Sequence, residues 1–334
     1  MREIDVRVPE LVEHLYQGRI QASVDLALGA LSGGHSVEEV IESLLVPAQV
    51  EVGERWYRDE WSVADEHRAT NACDIALTLL TFGQHPEPLP SAPVVVLLCP
   101  QGEEHSLPLR MVSRMVELHG IQTRYLGSSL PSTDLARFLA STKVDAVAIS
   151  CSSTRVFAPA AQAVQVAHAA GVPVILGGRA FDIEGRRARA LGGDLWARTA
   201  GDAVRVLARP LPSGLRSPTA DSGAALELEL RRDELVARVM DRLGSSVATP
   251  SADATSVDGL GRNRETAVDL LRSAEAAVLT GDRTVFDEHV AWLGPLLAAR
   301  GVPDGVLPAT LEAIALSCGD VPSLRELLRS PGPA

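Results

Sequence analysis

Several things are scarce in this 334-residue chain. Positive charge is the first: 31 Lys and Arg face 43 Asp and Glu, for a net charge of −12. Phosphate neutralisation needs clustered cations, so the chain as a whole is not expected to bind nucleic acid or an anionic membrane. No apolar run approaches the ~18 residues of a membrane-spanning helix, and the opening stretch MREIDVRVPELVEHL has no apolar signal core. The four cysteines, Cys73, Cys99, Cys151 and Cys318, are far apart with no CxxC pair. They read as reduced, partly buried thiols of a cytoplasmic protein. Aromatic residues make up 4%. Also missing are a P-loop, zinc-ligand spacing and a Ser-His-Asp arrangement in recognisable context, so no standalone enzyme is expected.

Hydrophobic residues reach 46%, mostly Ala, Val and Leu, and charged residues 22%, which excludes wholesale disorder. At about 150 residues per domain the length predicts two or three domains. Residues 1–84 read as a helical bundle. Leu11, Leu15, Val24, Leu28 and Leu31 recur at helical spacing before the Gly33-Gly34 stop, and Val37 to Trp56 is a second amphipathic stretch with a kink or break expected at Pro47. Ser62-Val63-Ala64-Asp65 fits a capping box opening a helix to about Phe82.

After the Pro-rich GQHPEPLPSAP the pattern changes. VVVLLC (94–99), TRYLG (123–127), DAVAIS (145–150) and VPVILGG (172–178) read as strands, with a weaker one at 195–197. Helices are expected at 107–119, 132–141, 157–170 and 180–191. The alternation predicts a flavodoxin-like, doubly wound, parallel five-stranded sheet over residues 92–210. Residues 211–262 read as Ser/Pro/Gly-rich linker around one helix, LELELRRDELVARVMDRL, and 263–330 as a C-terminal helical module. The fold class is thus α/β plus all-α.

Ligands of open α/β sheets sit beyond the carboxyl ends of the strands. The loop after the first strand, Cys99-Pro100-Gln101-Gly102-Glu103-Glu104-His105-Ser106, puts an imidazole there beside two carboxylates. Imidazole is a common metal ligand, and Glu103 is placed to fix its tautomer. The same residues also suit an ordinary surface loop. Ser150-Cys151-Ser152 after the third strand brings hydroxyls to that edge. Gly177-Gly178 after the fourth marks a turn or a close approach of backbone to ligand. In the helical bundle Trp56 is followed, after nine residues, by Glu66-His67. A tight connection would group an indole with two polar side chains; a core Trp beside helix-start acidic charge is the plainer alternative. Trp61 reads as packing. Asp287-Glu288-His289 points in three directions on a helix and reads as a solvated face.

Taken together, helical cap, Pro-rich linker and flavodoxin-like domain with a His after strand one resemble the cobalamin (B12)-binding domain family over about residues 8–208. That family carries a DxHxxG motif whose His is the lower cobalt ligand. The matching stretch is Glu103-Glu104-His105-Ser106-Leu107-Pro108, with Glu103 for Asp and Pro108 for Gly. By this resemblance His105 is the metal ligand, and Ser150, Ser152, Gly177 and Gly178 line the channel for the nucleotide tail. The Trp-x9-Glu-His pattern looks like the cap signature of CarH/LitR-type B12 photoreceptors. There Trp56 would shield the adenosyl group of adenosylcobalamin, with Glu66 and His67 around it. Two departures stand out. Tyr57 replaces a His that follows this Trp, and no MerR-type basic helix-turn-helix precedes the cap.

The resemblance implies a cobalamin-binding sensor, dependent on adenosylcobalamin and responsive to light. Its signal would pass through a protein partner or homo-oligomer rather than direct DNA contact. The alternative is a corrinoid carrier for methyl transfer, a methyltransferase component using methylcobalamin. A third reading is a scaffold that keeps the fold without the ligand.

Overall fold

The computed structural model describes residues 4, 7–84, 86–88, 91–218, 222–246 and 257–329. The first helices are α1 (Val8–Tyr16), α2 (Ile20–Ser32) and α3 (Val37–Val40). A π-helical turn (Ile41–Leu45) then leads into α4 (Val46–Tyr57), and α5 (Val63–Thr81) follows. Pro47 falls in the first turn of α4, where a missing N–H costs least. Its ring opposes the carbonyl four residues back, inside the π turn, and the Val46 N–H reaches to Ile41. The kink expected from the sequence is therefore a local widening of one long helix. The Ser62 capping box forms: the Asp65 N–H donates to Ser62 Oγ (3.2 Å) and the Ser62 N–H to Asp65 Oδ2 (3.0 Å).

Five strands follow: β1 (Val94–Pro100), β2 (Gln122–Leu130), β3 (Ala146–Ser150), β4 (Val174–Gly177) and β5 (Leu195–Ala197). All pair in parallel, in the order β2-β1-β3-β4-β5. The Rossmann-like, doubly wound sheet read from the sequence is thus present. Between the strands run α6 (Leu107–Leu118), α7 (Ser132–Ser141), α8 (Phe157–Ala169) and α9 (Arg186–Ala190), and α10 (Ala200–Leu207) closes the domain. Helix α9 starts later than the expected 180. Gly178 and Gly185 hold positive φ (109° and 66°), and Asp182 accepts the N–H groups of Arg186 and Arg187 at 3.0 and 2.7 Å.

Strand alternation divides the interior into two cores. Val96, Leu98, Val147, Ile149, Val174 and Leu176 face one side, where α8 and the C-terminal helices complete the packing. Val95, Leu97, Cys99, Ala146 and Ile175 face the other and merge with α6, α10 and the helical cap. The C-terminal helices are α11 (Ser222–Ser246), α12 (Val257–Thr280), α13 (Thr284–Ala299), α14 (Val306–Ser317) and α15 (Pro322–Arg329). Both α11 and α12 extend into the segment read as linker; residues 247–256 of that segment lie outside the described residues. Trp61 packs as expected, stacked on Tyr16 at 4.6 Å. All four cysteines are free and buried. Burial raises the thiols, Cys73 and Cys99 to about 12 and Cys318 to about 11. No helix among the described residues is long and apolar enough to cross a membrane.

Candidate functional site

Strand β1 is paired with β2 on one side and β3 on the other, so the loops after β1 and β3 flank the point where strand order reverses. Into this crevice the chain places a carboxylate–imidazole pair. His105 Nδ1 lies 2.5 Å from Glu103 Oε1, and the same oxygen accepts the His105 N–H at 3.1 Å. Glu103 Oε2 accepts the N–H groups of Ser152 (2.6 Å) and Ser153 (3.3 Å) from the β3 loop. Glu103 is 1% exposed. Every oxygen of this buried carboxylate is therefore occupied by donors from two loops.

Burial alone would push the Glu103 carboxyl up, but the His105 hydrogen bond and charge and the backbone N–H groups reverse this and hold it below the ordinary value. The Glu103 hydrogen bond raises His105 against partial desolvation, with smaller contributions from Glu66 (raising) and Arg155 (lowering). With Nδ1 tied to the carboxylate, Nε2 is the nitrogen left to act. The His105 side chain is 59% exposed, so Nε2 is reachable. Pro108, standing where the family motif has Gly, occupies the first turn of α6, a position that tolerates proline.

The Ser and Gly loops sit close to one another. Ser150 is buried and in register with Gly177. A Cβ on Gly178 would lie 2.3 Å from the Cys151 carbonyl oxygen, and one on Gly177 2.8 Å from that of Ala197. Both glycines are thus demanded by the chain's own backbone, whatever else passes there.

Glu66, in the first turn of α5, accepts the Thr70 hydroxyl at 2.7 Å and is close enough to His105 to shift its titration. His67 is 74% exposed, with Nε2 3.6 Å from Glu66. The Trp56 indole stacks on Trp292 of α13 (centroids 6.5 Å apart) under the Arg300 guanidinium at 4.7 Å. Tyr57 donates its hydroxyl to the Trp292 carbonyl at 2.9 Å.

Comparison with known proteins decides the family. Two B12 binding domain models match, one over residues 9–81 and one over 93–208, together more than half the chain. The chain belongs to the B12-binding domain family. A curated relative, the HTH-type transcriptional repressor CarH of Myxococcus xanthus, is 30% identical over 167 residues, which cover 49% of this chain and 54% of the relative. The chain thus spans about half the length of that relative. Among solved structures, the Methanosarcina barkeri monomethylamine corrinoid protein matches with a TM-score of 0.51 at 19% identity. The match covers 59% of this chain and 94% of that one, and it shows the shared fold.

Judged on its own atoms, this B12-binding domain fits the group its family implies. An imidazole with one nitrogen fixed by a buried carboxylate and the other reachable is the kind of donor that would hold a cobalt ion once its free nitrogen is deprotonated. The substitution of Glu for Asp is no obstacle, since Glu103 spans the distance to both loops. Among the described residues no cluster of three His, Cys, Asp or Glu could hold a bare metal ion.

Sequence reasoning missed the supports of this loop. Ser129 of β2, at φ 53°, takes the Gly102 N–H on its hydroxyl (3.0 Å) and gives its own N–H to the Glu103 carbonyl (3.0 Å). Tyr125 donates to the Ser106 carbonyl at 3.1 Å. It also missed Arg155, which follows the β3 loop and pairs with Asp269 of α12 at 2.8 Å. The solvated reading of Asp287-Glu288-His289 is corrected: His289 is only 9% exposed, because that face of α13 turns inward, and burial lowers its pKa. No motif marked Ser129 or Tyr125; a Ser at a strand end two residues after a glycine was the faint signal available.

Proposed function

We propose that this protein is a cobalamin-binding sensor that responds to adenosylcobalamin and to light and signals through protein contacts. The observation that carries the reading is the Glu103–His105 pair. Its locked Nδ1 and reachable Nε2 suit His105 as the lower axial ligand, while Glu66 of the cap approaches from another element. Ser150, Ser152, Gly177 and Gly178 then border the channel for the nucleotide tail. Trp56, Glu66 and His67 surround the upper group. Adenosylcobalamin supplies a cobalt–carbon bond that visible light breaks. The chain's part is to hold the cobalt from one side and to convert loss of the upper group into movement of the cap, a two-state element biased by ligand. The similarity to a transcriptional repressor over half its length supports a regulatory role.

An absorption spectrum of the protein with adenosylcobalamin, in the dark and after green light, tests this. Stable red colour, loss of the His-ligated spectrum in His105→Ala and a light-induced spectral change are expected. A spectrum indifferent to both light and His105→Ala sinks the reading.

The second reading, a corrinoid carrier handling a methyl group, has one observation in its favour. The face of Trp56 is already occupied by Trp292 and Arg300, which suits a small upper ligand. Clear preference for methylcobalamin over adenosylcobalamin in a light-indifferent protein is the expected signature of that role.

A further inference from the structure

Helix α13 is fastened at both ends to different parts of the molecule. Near its start, Arg187 of α9, 5% exposed, donates to Asp282 (2.9 Å), to Thr284 (3.0 Å) and to both carboxylate oxygens of Glu288 (2.8 and 2.9 Å). At its other end it meets the cap. Arg300 Nη2 donates to the Trp56 carbonyl at 3.1 Å while its guanidinium covers the Trp56 ring. Trp292 stacks on both Trp56 and Tyr57, with the Tyr57 centroid 5.5 Å away, and is itself backed by His289 at 5.7 Å. The cap's last two residues of α4 are thereby drawn into the core that holds the C-terminal helices.

The two attachments differ in kind. The Arg187 end is a buried guanidinium donating four hydrogen bonds to Asp282, Thr284 and the largely exposed Glu288. The cap end combines stacking and a cation over a ring, each worth about 0.5–2 kcal/mol, with two hydrogen bonds, Arg300 to the Trp56 carbonyl and the Tyr57 hydroxyl to the Trp292 carbonyl. With Trp292 37% exposed against 5% for Arg187, the cap end is the one more open to solvent.

Resting on the reading of Trp56 as the cover of the upper ligand, we propose that Trp292 and Arg300 are specificity-determining residues for that ligand. Both lie against the Trp56 ring, so a nucleoside covered by that indole would compete with them for its surface, and a methyl group or water would not. Adenosylcobalamin binds only by displacing this end of α13, so its affinity carries the cost of undocking and that of methylcobalamin does not. By reciprocity, adenosylcobalamin frees the cap end of α13 while the Arg187 end stays fixed. The C-terminal module thereby registers which upper group is present.

The test titrates the full chain in the dark with adenosylcobalamin and with methylcobalamin, following absorbance, for wild type, Trp292→Ala and Arg300→Ala. Both variants should improve adenosylcobalamin affinity relative to methylcobalamin by about fivefold to tenfold. Hydrogen exchange on the unaltered chain provides a second measurement that needs no variant. Amides of 292–300 should lose protection with adenosylcobalamin and keep it with methylcobalamin. An unchanged affinity ratio in both variants, or equal protection with both ligands, overturns the proposal while leaving cobalamin binding intact. Failure of wild type to bind either cobalamin overturns the functional reading and this inference with it.

Discussion

The loop after β1 and the junction of α4 with α13 are both side-chain clusters at the edge of the same domain, yet they are built on opposite terms. Around Glu103 a buried charge is surrounded by N–H donors that belong to the backbone of neighbouring loops. Those donors are backbone groups of the loops that follow β1 and β3. Around Trp56 the contacts join α4 to a helix more than two hundred residues away in sequence, Arg300 donating to the Trp56 carbonyl and the Tyr57 hydroxyl to the Trp292 carbonyl. The contrast separates a preformed, locally held pair from a junction assembled by distant segments; on the proposed reading the first is the fixed donor and the second the competed surface.

The largest effect that would break this contrast is at Glu103. Glu103→Ala leaves buried N–H groups of Ser152 and Ser153 without an acceptor, and should cost about 3 kcal/mol in urea unfolding and remove the His-ligated cobalamin spectrum. A loss below about 1 kcal/mol would mean that the lower loop is no more rigid than the upper junction. Next comes Arg187→Ala, which strips the partner from Asp282 and Glu288. Because Glu288 is largely exposed, the expected loss is smaller, about 1–2 kcal/mol. It should appear as faster hydrogen exchange at the start of α13 with the Glu103 loop unaffected.

A third test uses pH. Glu103 is lowered, so its contribution to stability is present above the ordinary carboxylate value and lost as pH falls through the depressed one. His105 is raised, so its contribution is full below the ordinary imidazole value and lost as pH rises through the elevated one. The pair therefore stabilises the apoprotein most between about pH 4.3 and 6.5. Glu103→Gln should flatten the stability profile in that window, and Trp292→Ala should leave its shape alone. The smallest effect sharpens the role of the cap. His67→Ala, at a position open to solvent, should change stability by less than about 0.5 kcal/mol. A change in adenosylcobalamin affinity would then report contact with the upper group.

Much of the loop after β1 was legible because its signal is local. His105 and its partner are two residues apart, and the strand and helix periods that bring their loop to the sheet edge run through contiguous sequence. The register of the strands was legible too, since alternating apolar residues sort themselves into two cores. The upper junction was not. Trp56 by itself reads more plainly as a core residue than as a ligand cover, and nothing adjacent to it names Trp292 or Arg300 as partners. His289, placed on a solvated face from its neighbours Asp287 and Glu288, is buried because tertiary packing, not the identity of its neighbours, decides which side of α13 turns inward.

By itself the amino-acid order determined the helical cap, the parallel sheet, the imidazole at its edge and the carboxylate that holds it. All of these follow from spacing, capping and turn chemistry that act over a few residues. Only the tertiary structure decided what touches the indole of Trp56 and where the C-terminal helices rest. Those contacts join segments whose encounter depends on how whole surfaces fit, and that fit leaves no periodic mark in the sequence.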